Sequence, residues 1–389
     1  MKHFAAHDQM DARRVRLLEE LAYQHGLYFD SYLVTEPNRE YLWSSNDRAV
    51  VGFARVGRYL HVVGGVLAHE SDKPRMLSEL VAFARLNRLT ISFFHIEDRE
   101  IPQFRSMSFQ VTKFGVESRV RLAGHTWKGK QYEWVRRQSN YVARHSVVFE
   151  EWRRDDANPQ DWSARFAELR EVSGSCISGR TLKVEIPFFE GQLLEKHLCR
   201  RRVFVARVDG GRVEGFVICN PIDGGRAWAI EMYRHRLDSV RGTIAYLMYQ
   251  TIEHLKAEGC DEVSICPIPT IDCESKLPGD SFVVRSALNL WRRFEYALFD
   301  MNGIYHFKSR FRPEYRDMFV CAYPKSNLGA TLAYVRLLGI MRFKLADLLK
   351  KLFQWSPQRR TLARPYPVPQ TATVAIANAT NDEQQSRAA

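Results

Sequence analysis

The sequence predicts an α/β protein built from two units in which mixed sheets are flanked by helices. Three observations lead to this prediction: a length of 389 residues, the alternation of β-branched and aromatic strands with helical repeats, and two Asp-Gly-Gly-Arg turns. A chain of this length holds two domains of about 100 to 200 residues each. A content of 45% apolar and 26% charged residues is typical of a folded soluble protein, not of a fibre or a disordered chain.

The first predicted unit covers residues 1–125. Apolar residues recur at helical spacing over 10–25 and stop at Gly26, which predicts a first helix. The segment over 40–68 is rich in β-branched and aromatic residues between turns, which predicts strands. The same patterns predict a helix over 71–87, a buried strand over 90–96, a short helix over 100–107 and one or two strands over 109–122.

The second predicted unit covers residues 126–325. It begins with a basic helix over 130–145, a strand over 146–152 and a helix near 162–173. The two Asp-Gly-Gly-Arg turns then separate three strands within 202–235. A long helix over 242–258, a strand over 262–269 and a helix over 286–299 follow. This order of strands and helices is that of an acyltransferase fold.

Positive charge is concentrated near the C-terminus. Lys and Arg exceed Asp and Glu by 57 to 45, and residues 325–360 hold eight cations and one acid. On a helical projection, residues 326–356 form a basic amphipathic helix, a pattern that fits an anionic membrane interface and equally a helix packed on the protein body. Residues 357–389 lack periodicity and are predicted to be a disordered tail.

Cysteine spacing and hydropathy narrow the functional class further. The seven cysteines form no CxxC pair and have no histidine at ligand spacing, so we predict no metal site. The N-terminus lacks the apolar segment of a signal peptide, and no stretch reaches the roughly 18 to 20 apolar residues of a spanning helix. We therefore expect a cytoplasmic protein whose membrane contact is peripheral, at the inner face of the membrane.

Three stretches, in order, carry a family resemblance. They are a Ser-rich turn and Gly-Gly step over 44–65, a Lys-x-Gly-x-Glu strand, Gly-Lys turn and basic helix over 113–144, and the motif Gly-Ile-Tyr-His-Phe-Lys-Ser-Arg-Phe-x-Pro over 303–313. Together they resemble the C-terminal catalytic domain of the phosphatidylglycerol lysyltransferase family, over about residues 40 to 323. This chain departs from the family pattern at Ser118, Arg310 and Tyr315. We expect a version of the family without the membrane-embedded flippase half.

The resemblance implies tandem GNAT-like acyltransferase domains and a specific reaction. An aminoacyl group would move from aminoacyl-tRNA to phosphatidylglycerol or a related acceptor, with no metal and no bound organic cofactor. The partners would be aminoacyl-tRNA and an anionic phospholipid surface. The sequence leaves the oligomeric state, the amino acid and the acceptor undetermined.

Transfer from an activated ester needs a cationic track for tRNA, a base and an oxyanion donor. Glu231, which stands where the family usually has Asp, is a candidate base or a ligand of the donor's amino group. Arg234 matches a family arginine, and His235 is a further proton acceptor unless it is structural. Asp238, Gly242 and Tyr305 match other motif positions. The predicted donor and tRNA contacts are Lys128, Lys130, Arg136, Arg137, Arg144, Lys308, Arg310 and Arg312.

Two other functions fit the same sequence. The first is a CoA-dependent GNAT N-acyltransferase, although the loop before the long helix offers a single glycine, Gly242, where such enzymes cradle pyrophosphate with several. The second is a non-catalytic RNA- or membrane-binding module that retains the fold without the chemistry.

Overall fold

The computed structural model describes residues 1–4, 6–154, 159–180, 185, 188, 190–274, 276–298 and 301–339. Its strands are β1 (Lys2–Phe4), β2 (Glu40–Trp43), β3 (Ala49–Val56), β4 (Tyr59–Ala68), β5 (Thr90–Glu97), β6 (Gln110–Arg121), β7 (Val147–Trp152), β8 (Arg202–Val208), β9 (Val213–Ile222), β10 (Ala227–His235), β11 (Glu262–Pro269) and β12 (Glu314–Tyr323). Its α-helices are α1 (Ala12–His25), α2 (Lys73–Asn87), α3 (Ile101–Ser106), α4 (Glu133–Ala143), α5 (Pro159–Ser178), α6 (Thr243–Ala257), α7 (Phe282–Leu298), α8 (Met301–Ser309) and α9 (Leu328–Leu337).

The strands of the described residues form one mixed sheet. Their order is β1-β2-β3-β4-β5-β12-β6-β11-β10-β9-β8-β7. Two neighbouring pairs are parallel, β4 with β5 and β10 with β11, and the other pairs are antiparallel. Helices flank the sheet, so the predicted fold class is confirmed.

The same succession of elements occurs twice along the chain. In the N-terminal half, the hairpin β3–β4 is followed by α2 and then by β5, which lies parallel to β4. In the C-terminal half, β9–β10 is followed by α6 and then by β11, parallel to β10. Parallel neighbours need a crossover, and a helix supplies it in both halves. This repetition agrees with the tandem arrangement of two similar units that the sequence predicts.

The two halves are joined by the placement of their last strands. β12, the last strand along the described chain, lies between β5 and β6. β6, which ends the N-terminal half, lies between β12 and β11. Each parallel pair therefore continues into a strand from the other end of the chain. The division into 1–125 and 126–325 remains a proposal about two similar halves that share one sheet.

Alternating side chains bury both faces of the sheet. In β3, Val51 packs in the core with α2, whereas Val50 packs in the core with α1 and α9. In β9, Val217 packs with α6 and Phe216 packs with α5. A strand with two buried faces needs apolar residues at successive positions, because successive side chains point to opposite faces. This explains why both strands are almost continuously apolar.

The predicted basic helix over 326–356 is described only in its first part. α9 packs on the protein body through Ala330, Ala333 and Tyr334. Residues 340–356 and the predicted tail over 357–389 lie outside the described residues. Among the described helices, none combines the length and the apolar character needed to cross a bilayer.

Candidate active site

The parallel strands β10 and β11 separate in the middle of the C-terminal half. They pair from Ala227 with Glu262 to Ala229 with Ser264. Just beyond, the register of β10 shifts between Ile230 and Met232, and that of β11 shifts between Ser264 and Pro267. β-Bulges of this kind bend strands and redirect side chains, often beside active sites. We call this place the C-terminal divergence.

Glu231 occupies the irregular position of β10 and is 9% exposed. Its Oε1 accepts a hydrogen bond of 2.6 Å from the backbone N–H of Gly191, and its buried Oε2 has no hydrogen-bond partner among the described residues. Burial raises the pKa of Glu231 to about 7, helped by the nearby Glu36 and opposed by Arg201 and by the Gly191 amide. A carboxyl group with this pKa can exchange protons at neutral pH.

Gly191 leaves the Glu231 carboxylate room at this place. A Cβ there would lie 2.6 Å from Oε2 of Glu231 and 3.1 Å from Cδ2 of Leu33. The absence of a side chain lets the backbone approach the carboxylate closely enough for its amide to bind. The sequence offered no signal for this residue, because neither turn chemistry nor a motif marks it.

A buried ion pair from both halves lies beside Glu231. The guanidinium of Arg201 donates to Oε1 of Glu36 over 2.9 Å, and the Gln192 N–H donates to the same oxygen over 2.9 Å. Both side chains are almost fully buried, yet Oε2 of Glu36 and Nη1 of Arg201 have no hydrogen-bond partner among the described residues. Burial raises the pKa of Glu36 and outweighs the attraction of Arg201. Sequence reasoning missed this pair, whose members are 165 residues apart.

Lys308 points inward from α8, which differs from the expected contact with tRNA phosphate. It is 3% exposed, and its Nζ donates to the carbonyl oxygens of Cys266 and Pro267 over 3.0 and 3.1 Å. These carbonyls lie in the irregular part of β11, where strand pairing is interrupted. Burial lowers the pKa of Lys308 to about 8, opposed by Cys266 and Glu117. The ammonium therefore fixes the backbone of the C-terminal divergence.

Cys266 completes the connection between the two separated strands. Its backbone has a φ of 67°, in the left-handed region that non-glycine residues rarely adopt. Its thiol donates to the carbonyl oxygen of Ile230, with Sγ and O 3.2 Å apart. Lys308, Cys266 and Ile230 thus form a continuous path from α8 to the residue before Glu231.

Arg234 and His235 lie on the same strand as Glu231 but contact different groups. Arg234 is fully buried, and its Nη1 donates to Oγ of Ser173 and, over 2.7 Å, to Oε1 of Glu185. Nδ1 of His235 lies 2.8 Å from the Arg236 carbonyl oxygen and 3.0 Å from Oγ of Ser239. Those contacts favour a structural role for His235 in the loop before α6.

The aromatic residues of two predicted motifs pack against each other. The ring centroids of Trp134 and Phe307 are 6.1 Å apart, and those of Trp127 and Phe311 are 6.2 Å apart. Tyr305 is also buried, with its ring 5.5 Å from that of Tyr315. The aromatic residues of the closing motif therefore anchor α8 and the chain that follows it.

This packing brings one cation of each motif next to the shared aromatic residues: Arg310 lies over Trp134, and Arg136 donates to the Trp127 carbonyl oxygen. We call the cations of these two motifs the basic surface. Its members are Lys128, Lys130, Arg136, Arg137, Arg310 and Arg312. The guanidinium of Arg310 lies 5.7 Å from the ring centre of Trp134, and Arg136 donates to the Gly129 carbonyl oxygen over 2.9 Å. Lys128, Lys130 and Arg137 are exposed. Arg144, also exposed, follows the other end of α4.

The remaining motif positions lie around the start of α6. Asp238 is exposed and pairs with Arg212 over 3.0 Å. Gly242 precedes α6 with a φ of 94°, and a Cβ there would lie 2.8 Å from Oε1 of Gln138. Because Gln138 belongs to α4, that helix lies close to the N-terminus of α6. Gln138 therefore restricts the access of an anion to the backbone amides at the start of α6.

One group of potential metal ligands is found among the described residues. Glu151, His254 and Glu258 bring their ligand atoms within 4.8 Å of one another. Arg202 already pairs with both carboxylates, over 2.7 Å to Oε1 of Glu151 and 2.8 Å to Oε1 of Glu258. A guanidinium in this position opposes a second cation, so the group forms a salt-bridge network.

Comparison with known proteins gives a family match over most of the chain. The family described as "Phosphatidylglycerol lysyltransferase, C-terminal" matches residues 19–322. A phosphatidylglycerol lysyltransferase of Bacillus subtilis (strain 168) is 22% identical over 304 residues, covering 78% of this chain and 34% of that protein. A Staphylococcus epidermidis protein of the same name is 20% identical, covering 88% of this chain and 39% of its own length. The chain thus spans about a third of the length of these curated relatives.

Solved structures show the same fold. The structure of L-PGS from Bacillus licheniformis superimposes with a TM-score of 0.71 at 21% identity, covering 86% of this chain and 97% of that one. The C-terminal domain of a putative lysylphosphatidylglycerol synthetase from Agrobacterium fabrum superimposes with a TM-score of 0.66 at 20% identity, covering 83% and 95%. The match extends over both halves of the sheet.

Proposed function

This chain belongs to the phosphatidylglycerol lysyltransferase C-terminal family, and on that premise we propose that it is an aminoacyltransferase. It moves an aminoacyl group from aminoacyl-tRNA to phosphatidylglycerol or a related acceptor. The names of its relatives support the reaction class. The observation that carries the proposal is the buried Glu231 carboxylate at the C-terminal divergence, with one oxygen held by an amide and the other without a hydrogen bond in the described structure.

The reaction is an ester exchange. The hydroxyl oxygen of the acceptor attacks the carbonyl carbon of the aminoacyl ester, and the bond from that carbon to the ribose oxygen of tRNA breaks. The acceptor hydroxyl loses a proton, and the departing ribose oxygen gains one. The protein must therefore move a proton and stabilise the negative charge that develops on the carbonyl oxygen.

Glu231 is suited to the proton transfer. A group whose pKa is near neutrality accepts a proton from the acceptor and returns it to the leaving oxygen without a large penalty in either direction. The carboxylate also suits the donor's ammonium group, and the two roles predict different kinetics. Loss of a base lowers kcat, whereas loss of an ammonium ligand used equally throughout the reaction raises KM.

Arg201 supplies positive charge beside Glu231. Arg201 has buried N–H groups without hydrogen-bond partners in the described structure, and such donors can stabilise a developing oxyanion. Lys308 acts differently from the expected phosphate contact: it holds the separated strands in place. Arg234 supports the other side of the site through Ser173 and Glu185. His235 remains a weaker candidate because its Nδ1 contacts the adjacent loop.

The basic surface is the proposed contact for the acceptor arm of tRNA. Clustered Lys and Arg side chains neutralise backbone phosphates and make binding depend on salt concentration. Arg310 and Arg312 belong to this surface, and the exposed Arg144 extends it along α4. Because the proposed acceptor is a lipid, we further propose that the protein is cytoplasmic and acts peripherally at the inner membrane face.

The CoA-dependent alternative receives less support from the same site. A pyrophosphate at the N-terminus of α6 would need access to the helix amides. The approach of Gln138 to Gly242 restricts that access. No observation on the described residues favours a binding module without catalysis, and the assay below separates it from an enzyme.

The test measures transfer of labelled amino acids from charged tRNA to phosphatidylglycerol by the purified full chain. We expect labelled lipid with the parent protein and little with Glu231→Gln. Glu214→Gln is a matched control, because Glu214 is also buried and its carboxylate also accepts a backbone amide, that of Val240 over 2.9 Å. Equal activity of the two variants would refute the site. Tight binding of acetyl-CoA with no lipid labelling would support the alternative enzyme, and neither activity would support a binding module.

A further inference from the structure

α7 and α9 are two neighbouring helices that leave large apolar side chains exposed. Phe282 and Leu290 on α7 are 83% and 59% exposed, and Leu328 and Leu332 on α9 are 64% and 52% exposed. Folded proteins tolerate isolated exposed leucines, but several large apolar side chains on adjoining elements indicate an interaction surface. We call these four residues the apolar platform.

The starts of the two helices are held together by a single side chain. Nε2 of Gln110 donates to the carbonyl oxygen of Gly279, three residues before α7, over 3.1 Å. Oε1 of the same side chain accepts from the N–H of Ser326, two residues before α9, over 3.0 Å. Phe282 and Leu328 are the first residues of these helices. Gln110 therefore places both of them at one corner of the fold.

The exposed faces of the two helices point away from the same core. Leu288 of α7 and Tyr334 of α9 are buried in one apolar cluster with the sheet. On α7, Phe282 and Leu290 are separated by two helical turns, and on α9, Leu328 and Leu332 are separated by one. Because both helices use their opposite faces for packing, the four exposed side chains lie on the outer side.

Cations border the apolar platform. Lys325 precedes α9, and Arg336 and Arg293 are exposed near the ends of α9 and α7. Arg105 and Lys325 also line an open cavity of about 420 Å³ that includes Gln110 and Gly279. Two acids near α7 are paired with arginines, Asp280 with Arg285 over 3.0 Å and Glu274 with Arg292 over 2.9 Å. Within the part of the chain that the structure describes, these two acids are therefore engaged and do not offset Lys325, Arg293 or Arg336.

From this arrangement we propose that the platform of α7 and α9 docks onto the surface of an anionic phospholipid bilayer. Phe282, Leu290, Leu328 and Leu332 enter the interfacial region, while the bordering cations contact lipid phosphates. Apolar side chains next to cations are the combination that binds peripheral proteins to such surfaces. The choice of a lipid surface rests on the proposed function, whose acceptor is a phospholipid.

Charge distinguishes the bilayer from the chain's own C-terminal segment as the occupant. Residues 325–360 carry eight Lys or Arg and one acid. A cationic segment would be repelled by a cationic border, whereas both are attracted to an anionic lipid surface. The positive charge of the sequence that follows α9 therefore also favours an anionic bilayer as the partner.

The first experiment measures binding of the full chain to vesicles of mixed phosphatidylglycerol and phosphatidylcholine, and to phosphatidylcholine alone. We expect Phe282→Ser with Leu328→Ser to weaken binding to the anionic vesicles at least about tenfold. The matched control is Leu86→Ser, which removes an 85% exposed leucine from α2 and should bind as the parent does. Lys325→Glu with Arg336→Glu should weaken binding to anionic vesicles and leave the weak binding to phosphatidylcholine unchanged.

Several outcomes would overturn the proposal. They are parent protein that does not bind anionic vesicles, a double serine variant that binds as tightly as the parent, or a self-associated parent that the same variant converts to a monomer. The last result would assign the platform to a second copy of the chain. Circular dichroism should show unchanged folding, because both replaced side chains are largely exposed.

A second assay separates this proposal from the proposed function. The double serine variant should transfer aminoacyl groups to a monomeric short-chain phosphatidylglycerol at the parent rate and lose activity on vesicles. Equal loss on both acceptors would contradict a docking role. If the parent has no transferase activity at all, the proposed function fails, and vesicle binding still decides the docking proposal.

Discussion

In both halves of the molecule two parallel strands pair over a short region and then separate, but different groups occupy the two openings. In the N-terminal half, β4 and β5 pair from Tyr59 with Thr90 to Val62 with Phe93 and then separate. The register of β4 shifts at Gly64 and Gly65, and that of β5 shifts near His95. This N-terminal divergence matches the C-terminal one in position, since each follows the short paired region of the two parallel strands.

The N-terminal divergence is filled by the chain itself. Ser31 donates through Oγ to the Gly64 carbonyl oxygen over 2.9 Å, and a Cβ at Gly64 would lie 2.5 Å from Cα of Ser31. The titratable groups are also paired there, with Nδ1 of His95 3.0 Å from Oδ2 of Asp30. The C-terminal divergence holds Glu231 and the approaching Gly191 amide instead.

The difference indicates that the two halves have different roles. The segment that fills the N-terminal divergence continues directly into Glu36, which pairs with Arg201 beside Glu231. One half therefore uses its opening to fix a chain segment, and that segment contributes a carboxylate to the opening of the other.

The largest expected effect separates the two buried carboxylates. Glu231→Gln keeps the size of the side chain and removes its ability to accept a proton, so kcat should fall at least about 100-fold. Asp30→Asn should change kcat less than about threefold and should lower thermal stability, because it weakens the contact with His95. Steady-state kinetics and thermal unfolding of both variants test this. A large kcat loss in Asp30→Asn would place chemistry in both halves.

A second comparison uses the two glycines. Gly64 has a φ of 71° and its Cβ would meet backbone, so Gly64→Ala should lower the free energy of unfolding by about 3 kcal/mol while the surviving folded protein stays active. Gly191→Ala pushes on the Glu231 carboxylate, so it should lower activity about tenfold or more with a smaller loss of stability. Chemical denaturation and transfer assays measure the two quantities. The reverse pattern would mean that the N-terminal divergence is the reacting one.

Much of the fold could be predicted from the sequence because its signals are local. Turn chemistry marked the strands around the two Asp-Gly-Gly-Arg turns, and helical spacing marked α1 and α6. The position of β12 between β5 and β6 could not be predicted, since pairs such as Met318 with Glu97 join residues far apart in the chain. Nothing in the composition of a strand identifies its distant neighbour.

The site was predictable only in part for the same reason. Glu231 was found through a motif, whereas Glu36, Gly191 and Arg201 come from separate segments without periodic patterns. Lys308 shows a second limit. The motif around Lys308 is rich in aromatic and basic residues, which indicated a surface cation. The direction of the Lys308 side chain on α8, however, depends on where β11 lies. The sequence reports charge, and packing decides whether that charge faces water.

Lys308 provides a third prediction, of intermediate size. Lys308→Met keeps the apolar stem and leaves the Cys266 and Pro267 carbonyl oxygens without the ammonium, which should cost about 2 kcal/mol of stability. Transfer activity should fall as well, because the backbone next to Glu231 relaxes. Lys308→Arg, which keeps a donor, is the comparison for partial rescue. A fully stable but inactive Lys308→Met protein would instead favour direct contact with the substrate.

The smallest effect is the dependence of rate on pH. If ionised Glu231 is the base, kcat/KM should rise about tenfold between pH 6 and pH 8, around a pKa of about 7, and Glu231→Gln should lose this rise.

The stability of the folded protein should change with pH in the opposite direction. The raised pKa means that the folded protein keeps this proton to higher pH than the unfolded chain does. The free energy of unfolding therefore falls as pH rises from about 4.5 to about 7.

The two measurements together distinguish the base from a structural acid. Glu231→Gln should be more stable than the parent at pH 8, where the parent carries a buried charge, and close to it at pH 4.5. Denaturation of both proteins at the two pH values gives the difference directly. A pH-dependent rate that survives in Glu231→Gln would assign the proton transfer to another group. If Glu231→Gln changed stability without changing the transfer rate, the Glu231 carboxylate would have a structural role only. The functional contrast between the N-terminal and C-terminal divergences would then be lost.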